Sequence, residues 1–204
     1  MYAIVEDNQI TQYVNFPKSV VIGDVRYPAK IFELWSQSEK EAIGIYEIIV
    51  DRTNYKDPTY YNNTDSSYTF ADGQVTESWE TATPKRLNDE NAVDEDGNNV
   101  LDDDGNQVIN YGLKTDKKRI LKQEASVLLS RTDWYVIKAT EVTDYNVPSN
   151  ITTFRTNVRT KSNDMETLID ACTTVDELKS LYEYTEQDDG TFTRPLGEFP
   201  KEVV

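Results

Sequence analysis

The side chains able to do chemistry in this chain are overwhelmingly carboxylates. There are 37 Asp and Glu against 21 Lys and Arg in 204 residues, and no histidine. Two carboxylates at a fixed separation across a glycosidic bond are a recognised acid–base device. With this many acids, chance proximity is expected, and abundance singles out no pair. A Ser or Thr nucleophile needs a base, His is absent, and no Ser-x-x-Lys stands before the motifs that accompany it in Lys-assisted enzymes. The single cysteine, Cys172, lies beside Leu168 and Ile169 on an apolar helical face and reads as a buried structural thiol. Alone it makes neither an internal disulfide nor a multi-thiolate metal site. Neither a P-loop nor Gly-x-Gly-x-x-Gly occurs, and Gly numbers only 8. The expectation is a protein that is not an enzyme, with no catalytic residues, cofactor or metal.

The acidic residues are concentrated. Between Asn88 and Gln107 there are eight acids and no Lys or Arg. Inside lies a tandem repeat, Val93-Asp94-Glu95-Asp96-Gly97-Asn98-Asn99-Val100 followed by Leu101-Asp102-Asp103-Asp104-Gly105-Asn106-Gln107-Val108. An EF-hand loop needs acids at positions 1, 3 and 5 before its Gly at 6. Counting back from Gly97 and Gly105 puts Ala92 and Val100 at the first position. The favoured reading is two solvated tight turns with strand stubs, forming an acidic β-arm. A basic surface in another chain, or the Lys114–Lys122 face of this one, is an alternative counterpart.

The net charge of −16 repels phosphate backbones and anionic membrane surfaces, so neither nucleic acid nor membrane is an expected partner. No apolar run approaches the length of a membrane helix. The start, MYAIVEDNQI, lacks the charged and apolar regions of a secretory signal, and folding in a cytosol is expected.

The first third reads as β structure. Met1–Val5 and Gln9–Phe16 form a hairpin around Glu6-Asp7-Asn8. Gly23-Asp24 separates Val20–Ile22 from Val25–Tyr27, and Asp72-Gly73 joins Ser67–Phe70 to Gln74–Trp79. Ser38 with Glu41 suggests a capped short helix ending at Gly44, and Tyr46–Val50 suggests a buried strand. From Lys114 the pattern becomes helical. Thr115 is a candidate cap before Lys117–Ser130, and a shorter helix follows Thr132-Asp133-Trp134. Ser149 is a candidate cap for a helix to about Lys161, with separate helices at Met165–Ala171 and, behind the Thr174…Glu177 box, up to Tyr184.

Two stretches resemble known proteins. Leu128-Leu129-Ser130-Arg131-Thr132-Asp133-Trp134, then Val147-Pro148, then Thr153-Phe154-Arg155-Thr156-Asn157-Val158-Arg159 resembles the C-terminal domain of tailed-phage tail assembly chaperones, with Phe154 and Val158 replacing the family's Tyr and Leu. Ile31–Ser36, Glu41–Tyr46 and the Tyr68–Gly73 hairpin resemble the N-terminal module that often precedes that domain. The resemblance covers most of the chain but not the acidic repeat. It implies a non-catalytic binding protein that helps a tail or tail-fibre protein assemble, or stays on the particle.

The signature residues also have a direct physical reading. Thr132 or Asp133 can accept from backbone N–H groups at the start of the second helix. Trp134 is expected as an apolar wedge between helices. Arg155 and Arg159, four apart, can both face one acidic patch. These five residues are the candidate partner-binding set.

The expected fold is α+β: a β-rich N-terminal domain (1–87), a protruding acidic β-arm (88–112), an antiparallel α-helical unit (113–184) and an extended C-terminal tail (185–204). The expected function is phage tail or tail-fibre assembly in the host cytoplasm, binding a fibre or tail subunit, with an oligomer in the tail assembly allowed. A permanent virion adaptor or decoration protein is the alternative, and a host-glycan-binding module the least favoured.

Overall fold

The computed structural model describes residues 1–201. The chain is mixed α+β and falls into two compact units, Met1–Thr83 and one beginning at Pro84.

The first unit is built on a five-stranded curled sheet. Strands β1 (Tyr2–Glu6) and β2 (Gln9–Val14) form the first hairpin; β3 (Val20–Ile22) and β4 (Val25–Tyr27) form a second, outside the sheet. Short helices α1 (Ile31–Leu34) and α2 (Gln37–Glu41) lead into β5 (Ile45–Val50). After β6 (Tyr61–Asn62) come β7 (Ser67–Ala71) and β8 (Gln74–Ser78), and the two-residue β9 (Thr83–Pro84) spans the boundary between the units. The sheet order is β2-β1-β5-β8-β7. Neighbours are antiparallel except β5 and β8, which are parallel. The expected hairpin turns form where both turn residues tolerate positive φ: Asp7 and Asn8 at 52° and 63°, Asp72 and Gly73 at 52° and 74°.

Central strand β1 is buried on both faces. Ile4 packs with Val14, Val20, Ile31, Phe32 and Ile45, whereas Ala3 and Val5 pack with Ile48 and Val75 on the other side. The period-2 alternation of a strand thus divides the unit into two apolar clusters. The rings of Tyr13 on β2 and Tyr68 on β7, the two edge strands, lie 4.8 Å apart, so the sheet curls until its edges meet. Gly44 leads into β5 at φ +85°, and a Cβ there would sit 2.5 Å from the Val5 carbonyl oxygen. Only glycine fits.

Two local expectations for this unit are corrected. The capping box of α2 uses Ser36 and Glu39 rather than Ser38 and Glu41. The same chemistry was available two residues earlier. Strand β5 is half-buried, with Ile49 and Val50 exposed.

In the second unit, β10 (Glu90–Asn91) pairs antiparallel with β11 (Ile109–Asn110), bracketing the acidic repeat. Helices α3 (Leu113–Ser130), α4 (Asp133–Glu141), α5 (Ser149–Ala171) and α6 (Val175–Ser180) follow, then β12 (Thr185–Glu186) paired with β13 (Phe192–Thr193). Beyond that hairpin Leu196 is buried; residues 202–204 of the expected tail lie outside the described residues. Early α3 meets late α5 through Lys118–Asp170 and Lys122–Glu166, and late α3 meets early α5 where Arg155 reaches the Leu129 carbonyl. Ala125, Phe154 and Val158 form the core between them, with Leu128, Leu129 and Phe199 at its margin.

Helix α5 is one element, not two. Its buried residues are Ile151, Phe154, Val158, Ser162, Met165 and Ile169, an unbroken stripe at spacings of three and four. A polar residue within the stripe, Ser162, concealed that continuity in the sequence. The expected caps Thr115 and Ser149 are also replaced: the N-cap residue is Gly112 for α3 and Pro148 for α5, and neither makes a side-chain cap bond. The Thr115 hydroxyl donates instead to Asp89. The Thr174–Glu177 box is formed, but α6 ends at Ser180. Among the described residues, no helix is long and apolar enough to cross a membrane.

Candidate partner-binding surface

Helix α3 ends in a turn in which the Thr132 N–H and hydroxyl both donate to the Leu129 carbonyl, at 3.0 and 2.9 Å. Helix α4 begins at the next residue. Arg155, just after the core residue Phe154 on α5, reaches across to this corner. Its Nη1 donates to Leu129 O at 2.8 Å and Thr132 Oγ1 at 2.7 Å, and lies 2.8 Å from Asp133 Oδ1. Thr132 is buried, and the Arg155 side chain is only 11% exposed. A planar guanidinium in a desolvated corner makes short, directional bonds, so Arg155 fixes the angle at which α4 leaves the bundle.

The structure therefore brings Thr132, Asp133 and Arg155 together, but with different roles. Thr132 flanks α4 without capping it, because its hydroxyl is turned back to Leu129. Asp133 pairs with Arg155 rather than capping through its side chain. Trp134 is not a wedge between helices. One helical residue, about 100° of rotation, beyond Asp133, it is 51% exposed and stacks on Tyr135 with ring centroids 3.9 Å apart. Lys138 Nζ lies 5.6 Å from the Trp134 ring centre and 4.3 Å from that of Tyr145. Helix α4 buries no residue, and Trp134, Val136, Ile137 and neighbouring Val142 are all exposed.

Arg159 does not share the acidic partner of Arg155. It is exposed, and its bond among the described residues is a long one, from Nη1 to the Arg155 carbonyl at 3.4 Å. It borders a groove of about 460 Å³ between α3 and α5, lined also by Lys122, Ala125, Ser126, Leu129, Ser162 and Asn163. Lys122 belongs to the basic Lys114–Lys122 face, which the sequence offers as a counterpart for the acidic arm; it pairs instead with Glu166. Ser162 is the groove residue that no sequence motif singles out, its one signal being a serine inside an apolar stripe.

The acidic repeat organises itself through its own carboxylates. Asp94 Oδ1 accepts from the N–H groups of Asp96 and Asn98, and Asp102 Oδ1 accepts from those of Asp104 and Asn106. Bonds from Asn98 and Asn106, backbone first and side chain second, hold these two carboxyls below the usual Asp range. At the base, Val100 N–H donates to Ala92 O, Val108 N–H to Val100 O, and Ala92 N–H to Val108 O, closing a ring of three. Gln107 Nε2 donates to the same three carbonyls at 2.9, 3.2 and 2.8 Å. The sequence signal was the one place where the longer amide replaces Asn99 of the first repeat. Among the described residues, no group of three or more Cys, Asp or Glu is arranged to hold a metal ion.

Cys172 is buried, its Sγ directed at Leu168 O, and burial followed by nearby Glu177 raises its thiol pKa. A thiol kept protonated is a poor nucleophile. No protein-family model, curated protein or solved structure matches the chain.

Proposed function

We propose that this chain is a non-enzymatic tail or tail-fibre assembly protein of a tailed bacteriophage, acting in the host cytoplasm and binding a fibre or tail subunit. On this reading α3 and α5 form an antiparallel helical unit that presents α4, and the acidic repeat is a protruding, solubilising arm. The observation that carries the proposal is α4 itself. It is anchored at its first residue by Arg155, yet it displays Trp134 and Ile137 with more than half of each exposed. Contiguous exposed apolar surface on a soluble chain marks a place where another polypeptide sits, and aromatic anchors dominate such contacts. The partner's apolar surface would be covered there until it assembles.

The test is co-expression with the adjacent tail-fibre gene and affinity capture. The fibre subunit should co-purify with the wild-type chain and be lost with the double substitution Trp134→Ala, Ile137→Ser. Capture that is indifferent to both changes removes α4 from the interface. Mass spectrometry of purified particles then separates roles: stoichiometric copies identify a permanent tail component, and their absence identifies a chaperone that leaves.

A further inference from the structure

We infer that Gly197–Lys201 is a displaceable strap on the apolar margin of α3 and α5, and that an extended, aromatic-bearing segment of a partner polypeptide docks there in its place. The site is separate from the exposed face of α4 and does not depend on the assembly reading.

The strap is fastened at its start and lightly held at its end. Leu196, just before it, is 2% exposed, and its N–H donates to the Leu181 carbonyl at 3.0 Å. Gly197 follows at φ +73°, where a Cβ would collide with the Lys161 side chain. Glycine alone accepts both conditions. Glu198 then reaches back to its own hairpin, its Oε1 accepting from the Tyr184 hydroxyl at 2.6 Å and pairing with Arg194 Nε at 2.7 Å. Beyond it, Phe199, Pro200 and Lys201 make no hydrogen bond or ion pair to the helices among the described residues. Their hold is apolar: the half-buried Phe199 ring packs against the cluster of Ala125, Phe154 and Val158.

The surface under the strap is larger than what covers it. A cavity of about 400 Å³ is walled by Phe199 together with Ile120, Val127 and Leu128 of α3. Another of about 290 Å³ is bordered by Pro200 and Lys201 together with Asn150, Thr153 and Asn157 of α5. Ile120 and Val127, seven residues and so two turns apart on one face of α3, are 44% and 54% exposed. Apolar surface left open beside a seated aromatic ring sets the chemistry of a stronger occupant. That occupant is an extended segment whose ring is bulkier than that of Phe199 and fills the space the strap leaves. The seated Phe199–Pro200 shows that such a segment fits without polar bonds to the helices. A strap tethered by a short link competes at roughly millimolar effective concentration, so it keeps weak binders out and yields to a better one.

The test is an NMR titration of the full chain carrying fluorine-labelled phenylalanine, the Phe199 line being the one missing from Phe199→Ala. A capped Gly-Gln-Trp-Pro-Lys peptide should move that line saturably to the position of a solvent-exposed ring, and Gly-Gln-Ala-Pro-Lys should not. Phe199→Ala should bind the Trp peptide about tenfold more tightly than wild type, because no strap competes. Adding Val127→Asp should cancel that gain with the fold intact, since Val127 is exposed. No saturable shift, equal affinity of wild type and Phe199→Ala, equal binding of the Ala peptide, or indifference to Val127→Asp overturns the proposal. Loss of the folded spectrum in Phe199→Ala also overturns it, by making Phe199 a fixed part of the core. So does sedimentation showing self-association that Phe199→Ala abolishes, which would mean that copies of this chain exchange straps.

Discussion

Helices α4 and α5 meet at one salt bridge and invert the usual relation between composition and burial. Helix α4, Asp-Trp-Tyr-Val-Ile-Lys-Ala-Thr-Glu, has four large apolar residues in succession and buries none of them. Helix α5 is rich in Thr and Asn and buries six residues along its length. Spacing explains the inversion. Residues 134 to 137 are consecutive, so at about 100° per residue they point all round the helix and form no stripe. The α5 residues at 151, 154, 158, 165 and 169 fall on one line. A short helix with apolar groups on every side cannot bury them against one neighbour. It needs a second surface, or it presents them to a partner.

The largest effect that can break this comparison comes from exchanging a core residue for an exposed one. Phe154 is 2% exposed and wedged against Ala125 and Val158. Phe154→Ala should cost about 3–5 kcal/mol, as expected for an aromatic side chain removed from a closed core. Trp134→Ala, although it removes a larger ring, should change stability by no more than about 0.5 kcal/mol, the range for exposed sites. Urea unfolding of both variants followed by far-UV dichroism decides the matter. Comparable losses would mean that α4 is packed, not presented.

The hinge between the two helices is the next target. Arg155→Ala removes the donor to Leu129 O and Thr132 Oγ1 and leaves Asp133 without its partner. The expected loss is about 1–3 kcal/mol, that of leaving buried polar groups unsatisfied. Asp133→Asn should cost less than about 1 kcal/mol, because Asp133 is half-exposed and the other two bonds of the arginine survive. Hydrogen exchange sharpens the point: Arg155→Ala should speed exchange in α4 far more than in the middle of α5. Uniform acceleration would make Arg155 a general core residue rather than the anchor of α4.

The same contrast explains what could be read from the sequence. Local turn chemistry was legible: Asp72-Gly73, Gly23-Asp24 and the Thr174…Glu177 box each need only a few adjacent residues, and each forms. The sequence pattern reads as two helices where α5 is one, because Ser162 interrupts the apolar stripe and only the packed neighbour shows that a hydroxyl can occupy that line. The size and apolarity of Trp134 suggest a wedge between helices, whereas its direction depends on how Arg155 holds the preceding residue. Thr132, Asp133 and Arg155 stand out in the sequence as separate candidates, a cap and one of a pair of arginines, but their convergence on the Leu129 carbonyl involves a backbone atom that no sequence pattern marks. The sequence reading takes Ser38 as the cap of α2, but Ser36 and Glu39 repeat the same spacing two residues earlier and form the box, which local pattern alone does not decide.

The smallest expected effect concerns how each helix begins. Helix α4 starts without a side-chain cap and relies on Arg155, whereas α6 starts on a carboxylate. Glu177 Oε2 accepts from Thr173 N–H at 2.6 Å, the Thr173 hydroxyl at 2.9 Å and Thr174 N–H at 3.2 Å. These bonds, the Thr173 N–H foremost, hold its carboxyl below the ordinary Glu value. A carboxyl whose folded pKa is depressed contributes its full stabilisation above the unfolded value of about 4.3 and loses it as the pH falls through the folded value. The Thr173 and Thr174 amides should therefore stay protected from exchange at neutral pH and lose protection progressively below about pH 4.3. Glu177→Gln should abolish that pH dependence while leaving the Thr174 hydroxyl bonded to the backbone of residue 177. An NMR titration of the two amides measures it. Protection in Glu177→Gln that still falls with acid would assign the loss to general acid unfolding of the unit and not to the start of α6.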